Sequence, residues 1–405
     1  MPAGFFTTLT NCRLCIDGEI VEGERLVVSE DTGRILQSTG YIGGEIFDLE
    51  DAIIAPGFLE LHTNGANGFH FSDFQNEAQY TSKLQDTAQY YVEHGVTGFW
   101  ATLPTVSRDS YQKILPALTP RRFDSRASLL GAHLEGPYLH PSKSGAHSQA
   151  HLTTPQATPL SALIPLPSLP NVKLCTLSPD LPLINPLITR LTKAGTRISL
   201  GHSPAPLDTG LSALSVGATC LTHAFNAMAP LHHRNPGLLG LITLPETHVP
   251  PPPYFTIVAD GVHMHPSVAT LLYRAAPRRA ILVSDATELA GLPDGAYTGP
   301  AATGAVQQVK EKGAAWLAGE GGADGERTLV GSTITVDGGV RNLVRWSGCS
   351  VAEAVRCVTE NVAGLMGLED RGKLEEGRWA DFVVLDDEGE VLETWVAAKK
   401  VWERK

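Results

Sequence analysis

Two histidines, a glutamate and an aspartate each follow a short apolar run: Glu135 in HLEGPYLHP, His202 in GHS, His223 in THAFNAM and Asp285 in SDAT. A catalytic zinc takes three protein ligands, often histidines and a carboxylate, and leaves a fourth position for water. Glu135, His202 and His223 meet that demand. A nearby carboxylate that is not a ligand can take the proton of the water and return it to a leaving group, and Asp285 suits that task. Any one of these histidines alone reads as a hydrogen-bonded interior or surface residue. Four such residues at four corresponding places read as a metal-assisted hydrolytic site.

A further stretch, GFLELHTNGANGF at 57–69, carries His62 and, two residues on, Asn64. Residues i and i+2 of a strand share a face, so a second histidine at 64 would have placed two imidazoles on one side of a metal. Asparagine is a poor zinc ligand because its amide oxygen is neutral. One strong metal site is therefore expected. His62 is left between a weak second site and a hydrogen-bonding role near the first.

These residues need elements to hold them. Eight apolar runs recur along the chain, at Gly57–Leu61, Thr97–Ala101, Ser128–His133, Val172–Thr176, Arg197–Leu200, Ala218–Thr222, Phe255–Ala259 and Ala280–Ser284. Continuous apolar runs of this length suit strands buried on both faces. Amphipathic stretches such as 76–93 and 182–194 supply the crossover helices that parallel strands require. The pattern predicts an α/β fold, a (β/α)8 TIM-like barrel, whose active site lies where the strands end. An open doubly wound sheet is disfavoured because no G-x-G-x-x-G fingerprint follows an early strand.

Both ends of the chain instead show short alternating strands with turn glycines, including a hairpin turn at Asp387, Glu388 and Gly389. Together they are expected to form a small β-sandwich domain from residues 1–54 and 366–405, with the hydrolase barrel at 55–365. A proline-rich patch at 250–253 and a glycine-rich patch at 318–325 read as loops.

The 405 residues, 42 % hydrophobic and 18 % charged, describe an ordinary folded protein with a sizeable core. A net charge of −12 excludes the broad basic footprint that nucleic acid or an anionic membrane demands. No stretch approaches the roughly 20 apolar residues of a membrane span, and the first residues lack the pattern of a signal peptide, so the expected address is cytoplasmic. Six scattered cysteines point to reduced intracellular use. Cys12 and Cys15, the one CxxC, read as two strand residues flanking a turn rather than a zinc or redox site.

Taken together, PGFLELHTNG, HLEGPYLHPSKSGAH, GHS, THAFNAMAPLHHRNPG, ADGVHMH, SDATELAGLPDG and GKLEEGRWADFVVLD resemble the N-acetylglucosamine-6-phosphate deacetylase family of the amidohydrolase superfamily. The resemblance runs from about residue 50 onward. It implies hydrolysis of N-acetyl-D-glucosamine 6-phosphate to D-glucosamine 6-phosphate and acetate, with one divalent metal, Zn2+, per chain. It places the metal ligands on Glu135, His202 and His223 and the general base and acid on Asp285, in agreement with the residues read on their own. It also implies a carbonyl-polarising role for His147. Substrate contacts are implied at Ala146, Asn226, Ala227, Arg234, Asp260, Gly261, Val262, His263, Leu329, Val330 and Gly331. Arg234 is the natural phosphate partner, since a guanidinium offers forked donors, and the resemblance implies a homodimer in which it reaches across. Two alternatives stand beside this: a deacylase of another N-acylated amino sugar phosphate, and a catalytically silent sugar-phosphate-binding relative.

Overall fold

A strand covered on both faces needs side chains that tolerate burial throughout, and the eight apolar runs satisfy this one after another. In a computed structural model, which describes residues 5–37, 44–319 and 327–405, they form β1 (Phe58–Thr63), β2 (Val96–Leu103), β3 (Ser128–Glu135), β4 (Val172–Leu177), β5 (Arg197–Leu200), β6 (Ala218–Leu221), β7 (Tyr254–Val258) and β8 (Ala280–Val283). They lie in chain order in one sheet, and each neighbouring pair is parallel. Every residue of β1, β2 and β8 is buried. The (β/α)8 barrel expected from the alternation is the fold observed.

The two expected helices are present. Glu77–Val92 starts where the Asn76 side chain accepts the Gln79 N–H at 3.0 Å. Ile184–Lys193 buries Ile184, Leu187, Ile188 and Leu191, a spacing that puts them on one face.

Between β8 and β1 the barrel nearly closes. Near the strand ends the Asp285 N–H donates to the His62 carbonyl at 2.9 Å and the Asn64 N–H to the Ala286 carbonyl at 2.7 Å. Deeper in the seam a side chain takes over. Oε1 of the buried Glu60 accepts the N–H groups of His62, at 3.2 Å, and Ser284, at 3.3 Å. Burial pushes this carboxyl up to about 7, against the hydrogen bonds from Ser284 and His62 that favour its charge. An acid whose pKa is higher folded than unfolded stabilises fully below the unfolded value, and that contribution is lost as pH rises through the folded one. Glu60→Gln keeps an oxygen for both N–H groups and carries no charge. It is expected to exceed the parent's stability by on the order of 3 kcal/mol at pH 8 and by under about 1 kcal/mol at pH 5. Urea denaturation at the two pH values measures this, and an equal difference at both would remove the charged carboxylate from the explanation.

The two ends of the chain meet in an eight-stranded mixed sheet separate from the barrel. Phe6–Ile16 pairs in parallel with Glu45–Pro56, which pairs antiparallel with Phe382–Leu385. The expected hairpin follows: Phe382–Leu385 runs antiparallel to Val391–Val396. Its turn is held by Asp386, whose Oδ1 accepts the N–H of Glu388 and Glu390, with Gly389 at φ +81°. The turn expected between Cys12 and Cys15 is absent, because both lie within the single strand Phe6–Ile16. Three residues apart, they face opposite sides, Cys12 toward the core of the terminal sheet and Cys15 toward that of the barrel. The two thiols therefore cannot converge on one ion.

A four-stranded antiparallel sheet inserted after β8 was not anticipated. It comprises Gly295–Thr298, Gln307–Glu311, Ala314–Leu317 and Leu329–Ser332. The patch at 250–253 lies in an irregular connection ahead of β7. Residues 320–325 of the glycine-rich patch lie outside the described residues. Among the described residues no helix is long and apolar enough to cross a membrane.

Candidate metal centre and catalytic cleft

Each chemical side chain stands where its strand runs out. Glu135 is the last residue of β3, His202 follows β5 by two residues, His223 follows β6 by two and Asp285 follows β8 by two. His202, His223 and Asp285 adopt left-handed backbone, at φ +49°, +29° and +46°. Positive φ is uncommon outside glycine and turns these chains sharply at the mouth of the barrel, so the side chains aim inward.

There three donor atoms converge. Glu135 Oε1 lies 3.1 Å from Nε2 of His202 and 3.1 Å from Nε2 of His223, and the two imidazole nitrogens are 3.0 Å apart. Ligands about 2.0–2.1 Å from a tetrahedral zinc lie roughly 3.3–3.4 Å from one another, so this is close to the spacing of a coordination shell. Among the described residues, Glu135, His202 and His223 form a buried group able to hold a metal ion. The side chains are also oriented for ligation. Nδ1–H of His202 donates to the Lys143 carbonyl at 2.8 Å, which fixes the ring with Nε2 toward the group. Burial lowers the pKa of His223, outweighing Glu135, and so favours the neutral ring that a metal needs. Burial opposes the charge on Glu135, but the field of His62 and hydrogen bonds from His147, His202 and His223 hold its carboxyl well below the usual range. The residues fit a divalent cation.

Asn64 does not face this group as a ligand. Its Nδ2 donates to Asp285 Oδ1 at 3.1 Å, so the asparagine holds the carboxylate of Asp285 in place. His62 sits between the two carboxylates, Nε2 being 3.2 Å from Asp285 Oδ1 and 3.4 Å from Glu135 Oε2. Neither of its nitrogens makes a well-directed hydrogen bond, so these contacts are electrostatic. Burial works against a charged His62, but Asp285 and Glu135 outweigh it and raise its pKa to about 9 in the metal-free protein. His62 is thus a cation balancing two anions, and it stands outside the group of three.

A cavity of about 390 Å³ opens above the donors, a size that suits a small metabolite. Of the residues singled out from sequence, Asn64, Glu135, Ala146, His147, His202, His223, Asn226, Ala227, His263, Asp285, Leu329 and Val330 line it. His147 accepts the Thr105 N–H at Nδ1, 3.1 Å, which places its proton on Nε2, 3.4 Å from Glu135 Oε2. Asp260 acts through its neighbour: Oδ2 takes Nδ1–H of His263 at 2.7 Å, and Oδ1 accepts the N–H groups of Val262 and His263 at 2.8 Å each. Gly331 packs where a Cβ would meet Thr287 and the Asp285 carbonyl, at 2.8 and 3.0 Å. Arg234 is exposed, and it lies outside the lining, as do Asp260, Gly261, Val262 and Gly331.

The lining also contains residues that sequence reasoning missed, chiefly His70, Glu288 and Gln308. Gln308 belongs to the inserted sheet. Its only signal is the alternation of VQQVKEKGAAWL around a Lys312-Gly313 turn, where both residues have positive φ.

Known proteins agree with this geometry. A model of the amidohydrolase family matches residues 326–402. The N-acetylglucosamine-6-phosphate deacetylases of Danio rerio and Bos taurus are 37 % and 36 % identical to this chain, over 98 % and 97 % of its length and 97 % and 95 % of theirs. The solved structure of the Mycobacterium smegmatis N-acetyl-D-glucosamine-6-phosphate deacetylase, an aspartate-to-alanine mutant in complex with N-acetyl-D-glucosamine-6-phosphate, superposes with a TM-score of 0.79 at 26 % identity, covering 98 % of this chain and 99 % of that one. With this likeness running almost end to end and a buried Glu-His-His group at the barrel mouth, the chain belongs to the N-acetylglucosamine-6-phosphate deacetylase family of amidohydrolases.

Proposed function

We propose that the protein hydrolyses N-acetyl-D-glucosamine 6-phosphate to D-glucosamine 6-phosphate and acetate. The observation that carries this is the convergence of Glu135, His202 and His223 beside Asp285, in a chain 37 % identical to a deacetylase of that name. Two imidazoles and one carboxylate suit Zn2+, one ion per chain. When bound, the metal supplies Lewis-acid activation of the water and the acyl carbonyl. Asp285, steadied by Asn64, takes the proton of the attacking water. His147, with its proton on Nε2, donates to the oxygen of the acyl carbonyl as charge builds there. Asp285 then returns its proton to the amine nitrogen as the C–N bond breaks. His263, oriented by Asp260, contacts the sugar together with Asn226, Ala227 and the backbone of Leu329–Gly331. Ala146 completes the contacts near the ring.

The phosphate needs a cation, and among the described residues no lysine or arginine lines the cavity. We read this as the reason for a homodimer in which Arg234, exposed on its own chain, reaches the cleft of the other subunit. Arg234→Ala is expected to raise KM for the phosphorylated substrate by roughly 10- to 100-fold. Mixing Arg234→Ala with the inactive Asp285→Asn protein, after dissociation and reassembly, is expected to restore wild-type KM in one site per mixed dimer. Complementation that fails while mixed dimers form would place the phosphate on groups of the same chain. The substrate itself is tested by acetate release from N-acetylated glucosamine and galactosamine 6-phosphates and from the unphosphorylated sugar. The glucosamine phosphate is expected to give the highest kcat/KM, and a clear preference for another would overturn the assignment.

A further inference from the structure

The cavity that holds the metal donors is also lined by three buried polar side chains that the mechanism does not use. Glu288, on the loop after β8, is 7 % exposed, Gln308 of the inserted sheet 1 % and His70 7 %. All three line the same cavity as Asp285. Nε2 of Gln308 donates to Oε1 of Glu288 at 3.1 Å, which fixes the amide's orientation, since a flipped amide would set two acceptors against each other. Gln308 Oε1 and Glu288 Oε2 are left enclosed and without partners. Leaving buried acceptors unpaired is costly, and a carboxylate oxygen most of all. His70 supplies the opposite need. Its Nδ1 accepts the Ser72 N–H at 3.1 Å, so its proton is on Nε2, and burial keeps the ring neutral by lowering its pKa.

We propose that Glu288, Gln308 and His70 form a hydroxyl-reading subsite that recognises the adjacent hydroxyl pair of the sugar ring. The wall offers two acceptors wanting donors and one donor. The acyl methyl has nothing to donate. The phosphate only accepts, and its charge is repelled by Glu288. A vicinal diol, each hydroxyl donating once and accepting once or more, is the part of an amino sugar phosphate that complements this set. Both acceptors are enclosed, so reading a hydroxyl requires the Glu288 carboxylate to rotate about its terminal torsion, which is broad in glutamate. The inference rests on the sugar-phosphate reading of the substrate and deepens it, because it assigns the residues by which the ring hydroxyls are told apart.

The test compares kcat/KM for N-acetylglucosamine 6-phosphate with that for its 3-deoxy and 4-deoxy analogues, in the metal-loaded wild type, Glu288→Leu and Glu288→Gln. Wild type is expected to lose roughly 10- to 100-fold on at least one deoxy analogue, the effect of a hydrogen bond to a charged group. In Glu288→Leu the ratio between parent and deoxy substrate is expected to fall below about threefold, with Glu288→Gln between. If a variant turns over too slowly, the same ratio is read from dissociation constants in the Asp285→Asn background, with thermal melting as the check on folding. A purely structural Glu288 would change all substrates equally, and an unchanged ratio in both variants overturns the proposal. So does a wild type indifferent to both deletions. Acetate release by wild type from the parent substrate is a separate reading, so failure of the substrate assignment is distinguishable from failure of the subsite.

Discussion

Asp285→Asn is expected to lower kcat by 10³- to 10⁴-fold while metal content and the dissociation constant for substrate stay within about threefold of wild type. Asparagine keeps the size of the side chain but cannot take a proton, and a positioned general base contributes 10² to 10⁴ in rate. The upper part of that range is expected here because one carboxylate serves twice, first as base toward water and then as acid toward the amine. The Asn64 amide that donates to Oδ1 can still reach the oxygen of an asparagine, so the local geometry is retained. Stopped-flow or discontinuous acetate assays, calorimetric binding of substrate and metal analysis together separate chemistry from binding. A variant that retained more than a tenth of the activity would exclude Asp285 as the proton carrier. One that lost its metal would make Asp285 a ligand instead.

Removal of the metal is expected to abolish turnover, by more than about 10⁴-fold, and readdition of a divalent cation to restore it. His223→Ala is expected to produce the same loss without recovery. The reason is local. Glu135, His202 and His223 present donors 3.0–3.1 Å apart, and an ion held there would supply Lewis-acid stabilisation of several kcal/mol. Glu135 sits among His62, His147, His202 and His223, which hold its carboxyl well below the usual range, so this ligand is ionised at neutral pH. Activity that survived chelation, with metal shown to be absent, would contradict this. Recovery of His223→Ala at high metal concentration would show that Glu135 and His202 suffice.

Much of this architecture is legible from residue order because parallel barrel strands are buried on both faces and so appear as unbroken apolar runs. All eight runs became strands of one barrel, and Glu135, His202, His223 and Asp285 just past them converge on one cavity, since that is where barrel strands deliver side chains. The inserted sheet at 295–332 escaped for the opposite reason. Its strands are four or five residues long and largely half-exposed, so their alternation is faint beside the turns that join them. With that sheet went Gln308, and with Gln308 the meaning of Glu288, which in SDATELAG reads as one more loop acid. The role of Asn64 was hidden differently. Its substitution for a ligand is visible in HTN, but the hydrogen bond to Asp285 joins the first strand to the last, a neighbourhood that exists only when the barrel closes. Arg234 shows a limit of another kind: the resemblance implies that it is a phosphate partner, while within one chain it is exposed and outside the lining of the cleft.

The most direct test of the central claim is acetate release from N-acetylglucosamine 6-phosphate by the purified protein, with metal per chain determined on the same sample. Release of one acetate per glucosamine 6-phosphate formed, at a rate proportional to metal content and saturating near one ion per chain, is the predicted result. A fully metal-loaded sample that releases no acetate would contradict it.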